Sequence, residues 1–404
     1  MKKSTAVPPT FHDKLDNILE VLKVALKLGV TSFGGPIAHL GYFHNEYVKK
    51  RKWLDDKTYT DLVALCQFLP GPASSELGIG IGTIRAGFWG GLAAWLGFTL
   101  PSAILLAAFA FLLQDYRFAG ASWLHGLKIV AVAIVAQAVL SLWQKLVTDR
   151  KLATITLCSM VLLLLWQTAI TQVAVIVLAG CIGFLLYKKV RPVESAKLQI
   201  GVSKKTGAIC IAAFFILLIA FPLLRQSSGR LSVSVADSFY RSGALVFGGG
   251  HVVLPLLANE VVPSGWVTRE TFLAGYGAAQ AVPGPLFTFS AFLGEIIGGI
   301  PGAILCLCAI FLPAFLLIYG ALPFWNQLRK NSAIGGALIG INAAVVGILL
   351  AALYTPLCTS AILSPWDLGL SVVLFGLLVY WELPPWVIVI AGVAGSMLAG
   401  AAGV

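Results

Sequence analysis

The chain has 404 residues, of which 58% are hydrophobic and only 11% charged, with a mean hydropathy of +0.90. A soluble domain carries about 25% charged residues, so no soluble surface can be built from this composition, and secreted, fibrous, disordered and nucleic-acid-binding classes are excluded. The net charge of +11 does not call for an acidic macromolecule, because the basic residues crowd into the N-terminal tail, Lys49-Lys50-Arg51-Lys52 and the stretch from Lys188 to Lys205, as cytoplasmic loops of membrane proteins do.

In chain order, residues 1–17 are polar and lack an apolar core followed by a small-residue cleavage site, which predicts a cytoplasmic N-terminal segment. A first membrane repeat is expected over 18–187. It opens with two segments broken at Gly or Pro, 18–43 and 58–82, and continues as apolar runs at 84–113, 123–147, 152–167 and 169–187. A basic cytoplasmic linker at 188–206 leads to a connecting transmembrane helix at 207–224, near the ~20 residues a span needs. The second repeat, 225–404, has the same plan: broken segments at 236–258 and 271–296, then runs at 298–322, 334–355, 361–380 and 385–403.

Ordered matches 210 to 214 residues apart carry the duplication. Phe33-Gly34-Gly35-Pro36 recurs as Phe247-Gly248-Gly249-Gly250, Glu46 as Glu260, and Gln67-x-x-Pro70-Gly71-Pro72 as Gln280-x-x-Pro283-Gly284-Pro285. Leu100-Pro101 answers Leu312-Pro313, and Gly126 answers Gly336. A basic N-terminus and a basic linker on one side require an even number of crossings in the first repeat, and the connecting helix then flips the second. The expected fold is an all-α polytopic membrane protein of two inverted-topology repeats, its broken or re-entrant helices meeting at the membrane midplane. If 18–43 crossed fully, the basic run at 49–52 would lie outside, so re-entrant hairpins and about 9 crossings are expected rather than about 13, which counts every apolar run.

Pro-Gly-Pro in an apolar segment breaks the helix, since Pro lacks a donor and clashes with the preceding turn. The half-helix that restarts beyond it points free N–H groups and a positive dipole end into the membrane, a setting for an anion without a formal positive charge. Substrate-binding candidates are therefore Gly34, Gly35, Gln67, Gly71, Ser74 and Ser75 in the first repeat, and Gly248, Gly249, Gln280, Gly284, Thr288 and Ser290 in the second. Pro36, Pro70, Pro72, Pro283 and Pro285 make the breaks. The plainer alternative is that these groups satisfy backbone freed by the prolines, or that the glycines serve helix packing.

Ionisable residues in apolar segments are expensive and default to function. Glu76, whose repeat position holds Phe289, is a coupling candidate or a cap complementing the helix dipole. Arg85 and Arg241 balance an anion's charge or reach to the membrane surface, His251 carries a proton or packs, and Glu295 is expected at a membrane edge. The seven cysteines lie in apolar stretches without metal or disulfide spacing, and neither a cofactor nor a metal is expected. No hydrolase motif is present, which argues against an enzyme.

At these residues the sequence resembles the chromate ion transporter family in its long two-domain form. The grounds are the two Phe-Gly-Gly tetrads and the Gln-x-x-Pro-Gly-Pro that follows each. The resemblance implies a multi-pass inner-membrane protein that expels chromate. Chromate and sulfate are both tetrahedral dianions that such donors separate poorly, so sulfate or another oxyanion is the alternative substrate, and an anion channel the alternative class. Export is expected by uniport or proton antiport in contact with the lipid bilayer, without nucleic acid. A homodimer is left open.

Overall fold

The computed structural model describes residues 11–114, 122–166, 168–187, 202–247, 250–325 and 332–402. Helices account for nearly all of the described residues, and no strand occurs among them. The first repeat runs α1 (Phe11–Thr31), α2 (Gly35–Phe43, prolonged by a π-helical turn to Lys50), α3 (Asp56–Phe68), α4 (Ala73–Leu113), α5 (Ser122–Leu146), α6 (Arg150–Leu165) and α7 (Ala169–Leu186). After α8 (Lys204–Ser228) the second runs α9 (Leu231–Ala244), α10 (Val253–Val261), α11 (Arg269–Ala279), α12 (Phe289–Ala321), α13 (Ser332–Ala352), α14 (Pro365–Val379) and α15 (Pro385–Ala402). Five helices among the described residues are long and apolar enough to cross a membrane, and α7, α14 and α15 are apolar but shorter.

Local chemistry sets the helix starts. Asp55, Asp149, Thr168, Ser203 and Thr268 accept backbone N–H bonds as N-caps of α3, α6, α7, α8 and α11, and Ser364 with Asp367 forms a reciprocal capping box on α14. Asp149 does more than cap: one carboxylate oxygen accepts from the Lys151 and Leu152 amides, and the other from the Tyr187 hydroxyl at 2.6 Å. That hydroxyl, and then the backbone amides, hold its carboxyl below the usual aspartate value. The contact also brings the start of α6 back to the end of α7.

Both repeats bend their longest helix at the same place. In α4 the backbone leaves helical geometry at Ala86 and Gly87, and in α12 at Gly298 and Gly299, where Gly87 and Gly299 have φ of 67° and 62°. On either side of each bend the helices touch backbone to backbone. A Cβ on Gly82 would run into the carbonyl of Gly90, and one on Gly294 into that of Gly302.

The bends return the chain to where it began. Glu20 on α1 pairs with Arg51, which follows α2, at 2.9 Å and with Arg85, just before the α4 bend, at 3.0 Å. Two hairpins thus enter from one end, turn at their breaks, and come back beside Glu20. In the second repeat Asp237 and Arg241 of α9 meet Glu260 at the end of α10 and Arg225 at the end of α8. Lys27–Glu46 in the first repeat and Arg241–Glu260 in the second are the same ion pair by register. The outer surface is apolar: α8 buries only 11% of its most hydropathic stretch, and Ile170, Phe111 and Leu398 stand exposed, as lipid-facing side chains do.

Candidate functional site

The four breaks meet, and they satisfy one another across the repeats. Gly71, in the first Pro-Gly-Pro, donates its N–H to the carbonyl of Val246 at 2.7 Å, and Gly284, in the second, donates to the carbonyl of Ser32 at 2.9 Å. Ser32 and Val246 each immediately precede the Phe of the Phe-Gly-Gly tetrads. Each repeat therefore supplies the acceptor that the other's helix break needs. His39, buried on α2, places its Nε2 3.2 Å from the same Ser32 oxygen. Gly71 and Gly284 have φ of 143° and 99°, which side chains adopt only at a cost.

Beside this junction lies a vestibule of about 760 Å³. Phe33, Gly34 and Gly35 of the first repeat line it together with His251, Gln280 and Gly284 of the second. Its far wall carries Gln137, Ser141 and Gln144 of α5, and the spacing i, i+4, i+7 puts all three on one face of an otherwise apolar helix. Gln280 Nε2 is buried without a hydrogen-bond partner in the protein, a donor left available to a ligand. His251 Nδ1 is hydrogen-bonded to the Tyr276 hydroxyl at 2.8 Å. Of the carboxylates among the described residues, Glu382 alone lines the vestibule, on an exposed loop at its rim with φ of 50°. Amide, hydroxyl and imidazole groups thus outnumber charge, an arrangement that solvates an oxyanion by hydrogen bonding.

The candidates named from sequence divide into groups. Gly34, Gly35, His251, Gln280 and Gly284 line the vestibule; Gly248 and Gly249 lie outside the described residues. Gln67 is exposed away from the vestibule, although its counterpart Gln280 forms part of the wall. Pro36 falls in the first turn of α2. Pro70 and Pro72 bracket Gly71, with Pro72 as the N-cap of α4, while Pro283 and Pro285 bracket Gly284, with Pro285 opening the turn Leu286–Thr288 that leads into α12. Thr288 returns its hydroxyl to the Pro285 carbonyl at 2.7 Å, which is the backbone-satisfying role. Ser74, Ser75 and Ser290 are buried, and the Ser75 and Ser290 hydroxyls have no partner in the protein.

Glu76 is fully buried on the first turn of the restarted helix, and neither carboxylate oxygen has a protein partner. It presses on the break itself, since a Cβ added at Gly71 would lie 2.6 Å from Glu76 Oε1. The arginines are engaged elsewhere. Arg85 pairs with Glu20 and lies over the Trp53 ring, and Arg241 is held by Asp237 and Glu260, so neither guanidinium faces the vestibule. Glu295, expected at an edge, is buried with one oxygen unpartnered. Sequence reading missed the α5 stripe and Tyr276. The stripe was legible as polar residues at helical spacing in an apolar run, whereas Tyr276 becomes a site residue only through its contact with His251. No group of three or more metal-ligating side chains occurs among the described residues.

The sequence profile of the family described as Chromate transporter matches residues 19–184 and again residues 233–396. The chain is 30% identical over 398 residues to the probable chromate transport protein of Synechococcus elongatus, covering 94% of this chain and 95% of that protein. It is 30% identical over 341 residues to the chromate transport protein of Pseudomonas aeruginosa (80% and 77%), and 28% over 330 residues to that of Cupriavidus metallidurans (80% and 78%). The apolar helices and the twice-matched family profile make this a polytopic helical membrane protein of the transporter class. The chain belongs to the chromate transporter family, a family of transporters rather than enzymes.

Proposed function

We propose that this protein exports chromate from the cytoplasm across the inner membrane, holding the dianion in the vestibule between the two repeats. One observation carries the reading: both repeats contribute helix breaks to a single cavity whose wall offers the unpartnered Gln280 Nε2 donor and, among the described residues, no Lys or Arg. A tetrahedral oxyanion needs several converging N–H and O–H groups, and Gln137, Ser141, Gln144, His251 and Gln280 provide them. Each relative named above carries chromate transport in its name, which favours chromate over sulfate.

The topology that goes with this reading is inverted. The Glu20 end, with Lys49 to Lys52, is cytoplasmic by the positive-inside rule, and the Asp237–Glu260 end faces outward. The hairpins α1–α2 and α3–α4 are re-entrant from the cytoplasm, and α9–α10 and α11–α12 from outside. The nine crossings are the second part of α4, then α5 to α8, the second part of α12, and α13 to α15. The vestibule is then open to the cytoplasm, because Gln144 ends α5 near the loop around Glu382.

Efflux is electrically downhill. A dianion leaving a cell negative inside gains roughly 4.6 kcal/mol at 100 mV, from about 2.3 kcal/mol per charge. Glu76 is the group available for proton coupling, since it is buried with no countercharge. The test is accumulation of labelled chromate in inside-out vesicles, with sulfate as competitor and the proton gradient collapsed. Saturable accumulation of chromate is expected, with excess sulfate acting as a competitor that lowers it without abolishing it. Labelled sulfate moving in place of chromate would reject the substrate assignment, and flux that never saturates would favour a channel.

A further inference from the structure

The vestibule has a repeat-related counterpart that is far smaller. A small cavity of about 90 Å³ is lined by α6, α7, α10 and α13 with the first residue of α11, Arg269. Its walls correspond to those of the open vestibule by register. Leu163 and Leu164 stand 14 and 15 residues after the N-cap Asp149, as Leu378 and Val379 stand 14 and 15 after the N-cap Ser364. Ala351 follows Gly336 by the same 15 residues that separate Ser141 from Gly126. One member of the pair holds about 760 Å³ and the other about 90 Å³.

The contraction has local causes. Gly347, which answers Gln137 by the same register, lets α13 lie against α6 so closely that a Cβ there would meet the Thr156 carbonyl. Thr156 also donates its hydroxyl to the Ala343 carbonyl at 2.8 Å. Leu163, Ile348 and Ala351 then close the gap as part of one apolar cluster. The first repeat's polar stripe on α5 has become Gly347 and Ala351 on α13 and Tyr354 in the π-helical turn that follows it.

Arg269, exposed at the start of α11, stands at the cavity's rim. Gln172, Asn259 and Thr355 add polar groups to the same cavity.

We propose that this cavity is the outward mouth of the same transport path, narrowed in the present conformation by Leu163, Ile348 and Ala351. The inference rests on the transport reading above. A rocking motion exchanges the two mouths, so that α13 parts from α6 while α5 closes toward α14.

The test uses the full chain in vesicles of both orientations, with membrane-impermeant thiol reagents read above the labelling of the parent protein. Ser141→Cys should label from the cytoplasmic face only, and Ala351→Cys from the outer face only, faster during chromate turnover. A reducible cross-link in the Leu163→Cys, Ala351→Cys double variant should stop transport, and reduction should restore it. Labelling of Ala351→Cys from the cytoplasmic face, labelling from neither face during turnover, or undiminished transport in the cross-linked protein overturns the proposal. A wild-type protein that moves no chromate would sink the transport reading instead, and the sidedness of labelling would still decide whether the two mouths open to opposite faces.

Discussion

His251 Nδ1 and the Tyr276 hydroxyl are 2.8 Å apart, and this hydrogen bond ties the second repeat's glycine-rich break to α11, the helix that Gln280 caps. Tyr276 is fully buried, so the imidazole is held from behind while its other edge faces the vestibule. Tyr276→Phe removes the tether without opening a cavity. Half-saturating chromate should rise about fivefold to tenfold, the worth of roughly one neutral hydrogen bond, with maximal rate and thermal stability nearly unchanged. An unaltered half-saturation value would mean that His251 orientation does not matter to binding.

The α5 stripe should act as part of the binding wall. Gln137→Ala and Gln144→Ala are each expected to weaken chromate severalfold, at about 0.5–1.5 kcal/mol per lost hydrogen bond, because both line the cavity. Gln67→Ala should do much less, since Gln67 is exposed away from it. Equal losses at all three positions in a vesicle flux assay would show that the site is built from other groups.

Gly71 and Gly284 tolerate no side chain. Each carries a positive φ, and an added Cβ would come within 2.6 Å of Glu76 Oε1 or 2.8 Å of Ser102 Oγ, respectively. Gly71→Ala or Gly284→Ala should cost about 1–3 kcal/mol in strain and lower the melting temperature in detergent. Transport should fall further than expression, because the exchanged hydrogen bonds are displaced. Wild-type stability in both variants would show that the breaks are not under this constraint.

Glu76→Gln preserves shape and removes the titrating group. Chromate flux should persist but lose its response to the proton gradient, measured as the ratio of initial rates with and without an uncoupler. A response equal to that of the parent protein would return Glu76 to a structural role at the start of α4.

Asp149 sets a pH dependence of stability. Its carboxyl is held low in the fold by the Tyr187 hydroxyl and the α6 amides, relative to about 3.9 in an unfolded chain. The folded state therefore binds its proton less readily. The contribution is fully present above pH ~4 and disappears as pH falls through the lower folded value. Asp149→Ala should destabilise by about 0.5–1 kcal/mol at neutral pH, the low end for a lost cap because the site is exposed. The gap to the parent protein should shrink in thermal scans at pH 3, and a gap constant across this range would contradict the assignment.

The breaks and the duplication were legible in the sequence because Pro and Gly act on the backbone directly, whatever surrounds them. Pro72 and Pro285 fall where helices restart, and Gly34 and Gly35 where α2 begins. What each break is bonded to was not legible, since the pairing of Gly71 with Val246 spans the two repeats. Arg241 illustrates the same limit. Its type and depth suggested an anion, whereas Asp237, one helical turn earlier, and Glu260, the repeat partner of Glu46, consume its charge. Gln67 and Gln280 look equivalent as letters, but Gln280 lines the vestibule whereas Gln67 is exposed and lines neither cavity.

The exchanged bonds between breaks also bear on how the protein is made. The half synthesised first carries the Gly71 amide and the Ser32 carbonyl, but their partners, Val246 and Gly284, lie more than 170 residues further along the chain. Until those arrive, the Ser32 carbonyl keeps only its contact with His39, and the Gly71 amide lacks its acceptor, which away from water costs several kcal/mol. Residues 1–187 inserted alone should therefore be short-lived, degraded unless the remainder is supplied as a separate polypeptide, and the two halves co-expressed should reassemble without a covalent link.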